Sequence, residues 1–168
     1  PNIDGVLEFS GSGAHEIANG VLRMHDNGGT SVYTMKIPSV NTMDRGTLVL
    51  DAIPMSANSA GHADTGIQIR LAGEGGVAHI GIDSEGGSPN LYHYPNGVRT
   101  LLCPVEFGTL YSFELTFNRY LGYSLVLDGE KLVEDAPLTA ETTWETAIEC
   151  KWNGSSVKIQ KLQVLTPQ

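Results

Sequence analysis

Apolar and polar residues alternate twice between residues 111 and 135, with a break at Asp128-Gly129. The apolar positions of the two runs are Phe113, Leu115, Phe117, Tyr123, Leu125 and Leu127. A period of two is typical of strands that bury one face. Asp128 and Gly129 can take the positive φ angles of a tight turn, so this segment predicts an antiparallel hairpin.

Similar short runs recur along the chain, separated by glycine-, asparagine- and aspartate-rich loops. They predict strands at 6–9, 21–25, 31–36, 46–53, 66–71, 77–83, 90–94, 98–102, 110–118, 123–127, 130–133, 147–152 and 157–164. A single open sheet of this size would leave an apolar face in water. We therefore predict an all-β fold, an antiparallel β-sandwich formed by one domain that spans residues 1–168.

Charge and composition exclude some classes of function. The formal net charge is −9, and the ten Lys and Arg residues are scattered, which argues against nucleic-acid binding. No apolar run approaches the roughly 20 residues of a membrane span, so we expect no membrane insertion. Cys103 and Cys150 are 47 residues apart and are either bridged or free.

Four segments carry a resemblance to a known superfamily. They are TGIQIRL, YSFELTF, LVLDGEKLVE and VKIQKLQVL, in that order along the chain. Together they resemble the concanavalin A-like lectins and glucanases, a superfamily that includes laminin-G-like domains, carbohydrate-binding modules, glycoside hydrolases and polysaccharide lyases. The resemblance implies a jelly roll with a ligand groove on the outer face of its concave sheet.

Strand alternation identifies candidate groove residues. If Ile67 and Ile69 face the core, Gln68 and Arg70 face outward; on strand 90–94 the outward set is either Leu91 and His93 or Tyr92 and Tyr94. The ligand-binding candidates are Gln68, Arg70, His79, Tyr92, His93, Tyr94, Glu114 and Asn118. Amides and guanidinium groups form paired hydrogen bonds with sugar oxygens, and aromatic rings stack on sugar rings. The alternative is that these residues are only the hydrated face of a sheet.

An enzyme of the same fold is a second hypothesis. A polysaccharide lyase needs a cation to neutralise a uronate and a His or Tyr to transfer protons, which points to Arg70, His79 and His93 as catalytic candidates. The Arg-Thr-Glu-Leu-Arg and Gln-Ile-His motifs of jelly-roll alginate lyases are absent, as is the Glu-x-Asp-x-x-Glu strand of retaining glucanases. No catalytic residue is therefore carried over from those families.

A structural calcium ion is a further hypothesis, because many jelly rolls hold one. Asp26 and Asn27 are the first candidate ligands, since they supply oxygen atoms in a glycine-rich turn. These residue types are also the commonest in turns that bind no metal.

Three hypotheses for the function remain open at this point. The first is a carbohydrate-binding, lectin-like module that recognises a glycan or polysaccharide. The second is the lyase or glycoside hydrolase, and the third is a structural or adhesion module. For each we expect an extracellular or secreted protein, alone or as part of a larger parent. Sandwich edge strands pair readily, which leaves a homo-oligomer open as well.

Overall fold

The computed structural model describes residues 7–40, 43–58, 66–73, 76–84, 88–95, 98–118, 120–137 and 145–166, with only the backbone described at 71–73, 76–79 and 145. Fourteen strands lie in these ranges: β1 (Glu8–Gly11), β2 (Gly13–Ala18), β3 (Val21–Asp26), β4 (Val32–Lys36), β5 (Arg45–Ser56), β6 (Gly66–Gly73), β7 (Gly76–Asp83), β8 (Asn90–His93), β9 (Thr100–Pro104), β10 (Tyr111–Asn118), β11 (Gly122–Leu127), β12 (Glu130–Ala136), β13 (Glu145–Lys151) and β14 (Ser156–Leu165). A short 3₁₀ helix spans Pro38–Val40. Within the described ranges, no helix has the length and apolar character needed to cross a membrane.

The strands form two antiparallel sheets. Sheet A has the order β12-β11-β10-β5-β14-β3-β2, and sheet B has the order β1-β4-β13-β6-β7-β8-β9. Strands far apart in sequence are neighbours in space, since β5 pairs with both β10 and β14, and β13 pairs with both β4 and β6. The prediction of an all-β, antiparallel β-sandwich is confirmed.

The core lies between the sheets and is built by strand alternation. Side chains with almost no exposure include Met24, Met35, Leu48, Leu91, Leu115, Phe117, Tyr123, Leu125 and Ile148. Burying one large apolar side chain contributes about 1.5–3 kcal/mol. The residues between these positions on each strand face away from the core, which gives the sandwich two outer faces on which a ligand can bind.

The β11–β12 hairpin has the predicted turn. Asp128 and Gly129 have φ angles of 49° and 85°, and Leu127 pairs with Glu130. The Asp128 carboxylate also accepts a hydrogen bond from the Ser112 backbone N at 2.7 Å. The hairpin is thereby joined to the start of β10.

One strand, β2, was not predicted from the sequence. Five of its six residues are exposed, and it lies at the edge of sheet A, where it pairs with β3. A strand with little buried surface has no alternating apolar pattern, so nothing in its sequence distinguishes it from a loop.

Both cysteines are free thiols. Cys150 is fully buried on β13, and its Sγ lies 3.6 Å from the Met24 carbonyl oxygen. Burial raises the pKa of the Cys150 thiol. It also raises the pKa of the Cys103 thiol, which is only partly buried. Between the bridged and free alternatives, the structure shows the free form.

Candidate functional site

Polar side chains gather at the centre of the outer face of sheet B. Gln68 and Arg70 lie on β6, and Glu149 lies on β13 opposite Gln68. Asp83 is the last residue of β7 and pairs with Asn90 at the start of β8. Tyr92 lies on β8 two residues after Asn90. Gln68, Asp83 and Glu149 are buried even though they face away from the core. Burying polar and charged groups outside a core costs free energy unless they are paired, so this cluster is a candidate site.

The first charged pair of the cluster joins β6 to β13. Arg70 Nη1 donates a hydrogen bond to Glu149 Oε1 at 2.6 Å. The Arg70 side chain is 35% exposed, whereas that of Glu149 is only 6% exposed. The carboxylate therefore lies beneath the guanidinium and fixes its position, while the guanidinium remains accessible from the surface.

The second charged pair lies on the other side of the cluster. Arg99 Nη2 donates to Asp83 Oδ1 at 2.5 Å, and the guanidinium carbon lies 3.7 Å from the centre of the Tyr92 ring. The Asp83 side chain has 0% exposure and that of Arg99 has 18%. Arg99 is thus oriented by a buried carboxylate and by stacking on an aromatic ring.

Gln68 and Tyr94 fill the space between the two pairs. Gln68, Gly81 and Tyr92 lie in one row across three strands. Gly81 has no side chain, and a Cβ at this position would lie 3.5 Å from the Tyr94 ring and 3.8 Å from Gln68 Cγ. Tyr94 therefore packs close to the Gly81 backbone. We call Gln68, Arg70, Asp83, Tyr92, Tyr94, Arg99 and Glu149 the arginine surface.

Four of the predicted ligand-binding residues lie on this surface: Gln68, Arg70, Tyr92 and Tyr94. The backbone of a fifth, His79, pairs with Arg70, but its side chain is outside the described part of the structure. Arg99 was missed by the sequence analysis. The strand predicted at 98–102 contains Arg99, but β9 begins only at Thr100, so Arg99 lies just before the strand, where strand alternation assigns no face.

His93 does not lie on the outer face, which corrects the prediction for both its ligand-binding and its catalytic role. It faces the core, where its Nδ1 forms a hydrogen bond of 2.8 Å with the Tyr123 hydroxyl of the opposite sheet. Of the two alternatives for strand 90–94, Tyr92 and Tyr94 are therefore the outward pair. Burial lowers the pKa of His93 and raises that of Tyr123 to about 12.

The position of His93 predicts acid sensitivity. Its folded-state pKa lies below the ordinary 6.5, so the unfolded chain takes up a proton first as the pH falls. The free energy of unfolding should therefore fall from about pH 6.5 downward, through the folded-state pKa. Urea unfolding of the parent and of His93→Gln between about pH 8 and pH 5 checks this. The variant should show a shallower decrease, and equal slopes would contradict the assignment.

Glu114 and Asn118 also differ from the prediction. They lie on β10, whose neighbours are β5 and β11 in sheet A. Their side chains face outward as predicted, but from the sheet opposite the arginine surface. Strand alternation gives the face of a strand and not the sheet to which it belongs, so the prediction of a single groove is wrong for these two residues.

Asp26 is buried and anchors two loops. Its Oδ1 accepts hydrogen bonds from the backbone N of Gly28 at 2.7 Å and of Gly154 at 2.8 Å, and from Ser31 Oγ at 3.2 Å. Its Oδ2 accepts one from the Ser155 backbone N at 2.8 Å.

Asn27, the second predicted calcium ligand, lies beside Asp26 and is exposed. Among the described residues, no group of three or more His, Cys, Asp or Glu side chains could hold a metal ion, and calcium binding by Asp26 and Asn27 stays a prediction.

The loop that Asp26 anchors has an unusual backbone. Trp152, Asn153 and Gly154 all have positive φ angles, at 69°, 58° and 75°. A bulky residue rarely takes this conformation, and successive N–H groups in such a turn converge to bind an anion. The Asp26 carboxylate is that anion, so it compensates a locally strained turn between β13 and β14.

Comparison with known proteins identifies the fold and nothing finer. No protein-family model matches the chain, and no curated protein matches it. Among solved structures, a carbohydrate-binding module, CBM66 from Bacillus subtilis, is 12% identical, with 94% of this chain and 95% of that chain covered and a TM-score of 0.59. An alginate lyase from Pseudomonas aeruginosa is 11% identical, with coverages of 91% and 86% and a TM-score of 0.63.

A sialidase is also similar, at 12% identity and a TM-score of 0.66. The match covers 93% of this chain but spans only 16% of the sialidase. At these identities the similarity establishes architecture only. The protein has the jelly-roll sandwich fold of the concanavalin A-like type, as the sequence resemblance implied.

Proposed function

We propose that this protein is a carbohydrate-binding module whose ligand lies on the arginine surface and is not cleaved. The observation that carries the proposal is the arrangement of Arg70 and Arg99, two partly exposed guanidinium groups, each oriented by a buried carboxylate. The similarity in fold to the carbohydrate-binding module CBM66 supports the same class of ligand. We expect such a module to act outside the cell.

The chemistry of the arginine surface suits a glycan. A guanidinium carries five N–H donors in a planar fork, so it can bind a carboxylate beneath it and ligand oxygens above it at the same time. Neighbouring sugar hydroxyls and sugar carboxylates both present paired oxygens to such a fork. Because Glu149 and Asp83 already fix the two arginines, little side-chain entropy is lost when a ligand binds.

Binding without cleavage is favoured over the enzyme alternative by the position of His93. A lyase site built from Arg70, His79 and His93 needs both histidines on the same face as the arginine. His93 instead lies in the core with its ring nitrogen bonded to Tyr123. The proposed catalytic set is therefore incomplete, whereas a binding surface does not require His93.

A substitution at Arg70 tests the proposal. Arg70→Lys keeps the positive charge beside Glu149 but removes the fork, so we expect binding to a retained polysaccharide to weaken about tenfold or more. Tyr92→Ala should weaken it as well, because it removes the ring on which Arg99 stacks. Binding is measured on a panel of neutral and acidic polysaccharides, with a parallel assay for new reducing ends and unsaturated products.

The matched control is Arg23→Lys, an exposed arginine on β3 in the other sheet. It should bind like the parent. Equal binding by the Arg70→Lys variant and this control would remove the arginine surface from consideration. Product formation would support the enzyme alternative, and failure of the parent to bind any glycan would favour the structural or adhesion alternative.

A further inference from the structure

A depression of about 230 Å³ lies on the outer face of sheet A, on the side of the sandwich opposite the arginine surface. Three hydroxyl side chains cross it in one row, because Thr116 on β10 pairs with Thr47 on β5 and with Ser124 on β11. The hydroxyl oxygens of Thr47 and Thr116 are 3.3 Å apart. We call this depression the hydroxyl pocket.

The depression exists because small residues lie between longer ones. The neighbouring row runs Arg45, Asn118 and Gly122. Gly122 has a φ of 140°, and a Cβ there would lie 2.0 Å from the Ala136 carbonyl oxygen, so no larger residue fits. Arg45, Leu121 and Asp135 form the walls around the glycine and the hydroxyl row.

The lining is mostly polar. Phe117 and Tyr123 also border the depression, but each is at most 2% exposed because its side chain faces the core. Leu121 is 77% exposed at the edge. In the described part of the chain, the Arg45 guanidinium and the Asp135 carboxylate make no hydrogen bond or ion pair with each other or with another residue.

The backbone beside the hydroxyl pocket is irregular. The pairing of β11 with β12 shifts register between Tyr123 and Leu125, so that Glu134 and Asp135 of β12 lie opposite Ser124 alone and form a β-bulge. Asp135 has a φ of 51°, uncommon for a residue other than glycine, and its backbone N donates to Ser124 Oγ at 3.0 Å. Bulges and strained residues occur preferentially where a side chain must be aimed at a ligand.

We propose that the hydroxyl pocket is a second binding site and takes a single neutral sugar ring. A pyranose has hydroxyl groups around its edge and apolar C–H faces, which match the polar lining and the exposed Leu121. One guanidinium and one carboxylate, Arg45 and Asp135, balance in charge, so a neutral polyhydroxylated ligand fits better than an acid or a base. The site shares no residue with the arginine surface, and the inference does not rest on the function proposed above.

Two sites on opposite faces would let one protein molecule bind two ligands at once. Ligands bound to the outer faces of sheet A and sheet B lie on opposite sides of the sandwich. One molecule can then contact two glycan chains, or two parts of one, and the second contact profits from a raised effective concentration.

The test is a titration of the isotope-labelled full chain with D-glucose, D-galactose, D-mannose and N-acetyl-D-glucosamine, followed by backbone amide NMR. We expect at least one sugar to shift the amide signals of Thr47, Thr116 and Ser124. Thr116→Val keeps the side-chain shape but removes the central hydroxyl, so it should raise the Kd for that sugar at least about tenfold. Glu16→Gln, which changes an exposed carboxylate on the edge strand β2 of the same sheet, is the matched control and should leave the Kd unchanged.

The titration also separates this inference from the proposed function. Shifts at the hydroxyl pocket that persist when Arg70→Lys and Tyr92→Ala are combined support an independent second site. Shifts confined to sheet B overturn the second site and leave the proposed function standing. The second site is equally overturned if none of the four sugars shifts the pocket signals, or if Thr116→Val titrates like the parent.

Discussion

Replacing Asp26 with alanine should lower the free energy of unfolding by about 4 kcal/mol, because the backbone N–H groups of Gly28 and Gly154 lose their carboxylate acceptor and that of Ser155 keeps only the Trp152 carbonyl. Each unsatisfied buried donor costs about 1–3 kcal/mol. The loss is larger than that of one hydrogen bond, since Asp26 also stabilises a turn with three successive positive φ angles. At this chain length the midpoint temperature should fall by roughly 10 °C.

Urea and thermal unfolding of the Asp26→Ala variant measure the effect. Glu114→Ala is the control, because it removes an exposed carboxylate from the middle of a strand and should change the free energy of unfolding by less than about 0.5 kcal/mol. A loss at Asp26 no larger than that of the control would show that the loop junction does not depend on its carboxylate. Repeating both measurements with added calcium tests the cation prediction, since a bound ion would stabilise the parent more than the variant.

Most strands could be predicted from the sequence, because burial of one face makes apolar and polar residues alternate along a strand. The alternation at Phe113, Leu115 and Phe117 exists because every second side chain enters the core, and the Asp128-Gly129 pair exists because the turn needs positive φ angles. Gly13–Ala18 is mostly exposed, so its sequence shows no alternation, and this strand was not predicted. The fold class therefore followed from residue patterns, apart from one exposed edge strand.

Only part of the candidate site could be predicted from this alternation. Alternation put Gln68 and Arg70 on the outward face, but it could not tell that Glu114 belongs to the opposite sheet, because sheet order depends on long-range pairing. Alternation left open which face of strand 90–94 carries His93, and the hydrogen bond with the Tyr123 hydroxyl within the core shows that it is the inner one. Arg99 reaches the site from a loop, and only the folded chain shows that it stacks on Tyr92.

Arg99→Met should remove about 3 kcal/mol or more from the free energy of unfolding, because it leaves the fully buried Asp83 carboxylate without its arginine. Methionine keeps an unbranched apolar chain against the Tyr92 ring, so lost packing contributes little to this effect. In the double variant Asp83→Asn and Arg99→Met the stranded charge is gone, and most of the lost stability should return.

Glycan binding should behave differently from stability in these two variants. If Arg99 donates hydrogen bonds to the ligand, the double variant regains stability but binds as poorly as Arg99→Met alone. Unfolding free energies and polysaccharide retention, measured on the same preparations, distinguish the two quantities. Recovery of both would mean that the pair serves only to hold sheet B together, whereas recovery of stability alone would show that a costly buried charge is retained because it orients a guanidinium for the ligand.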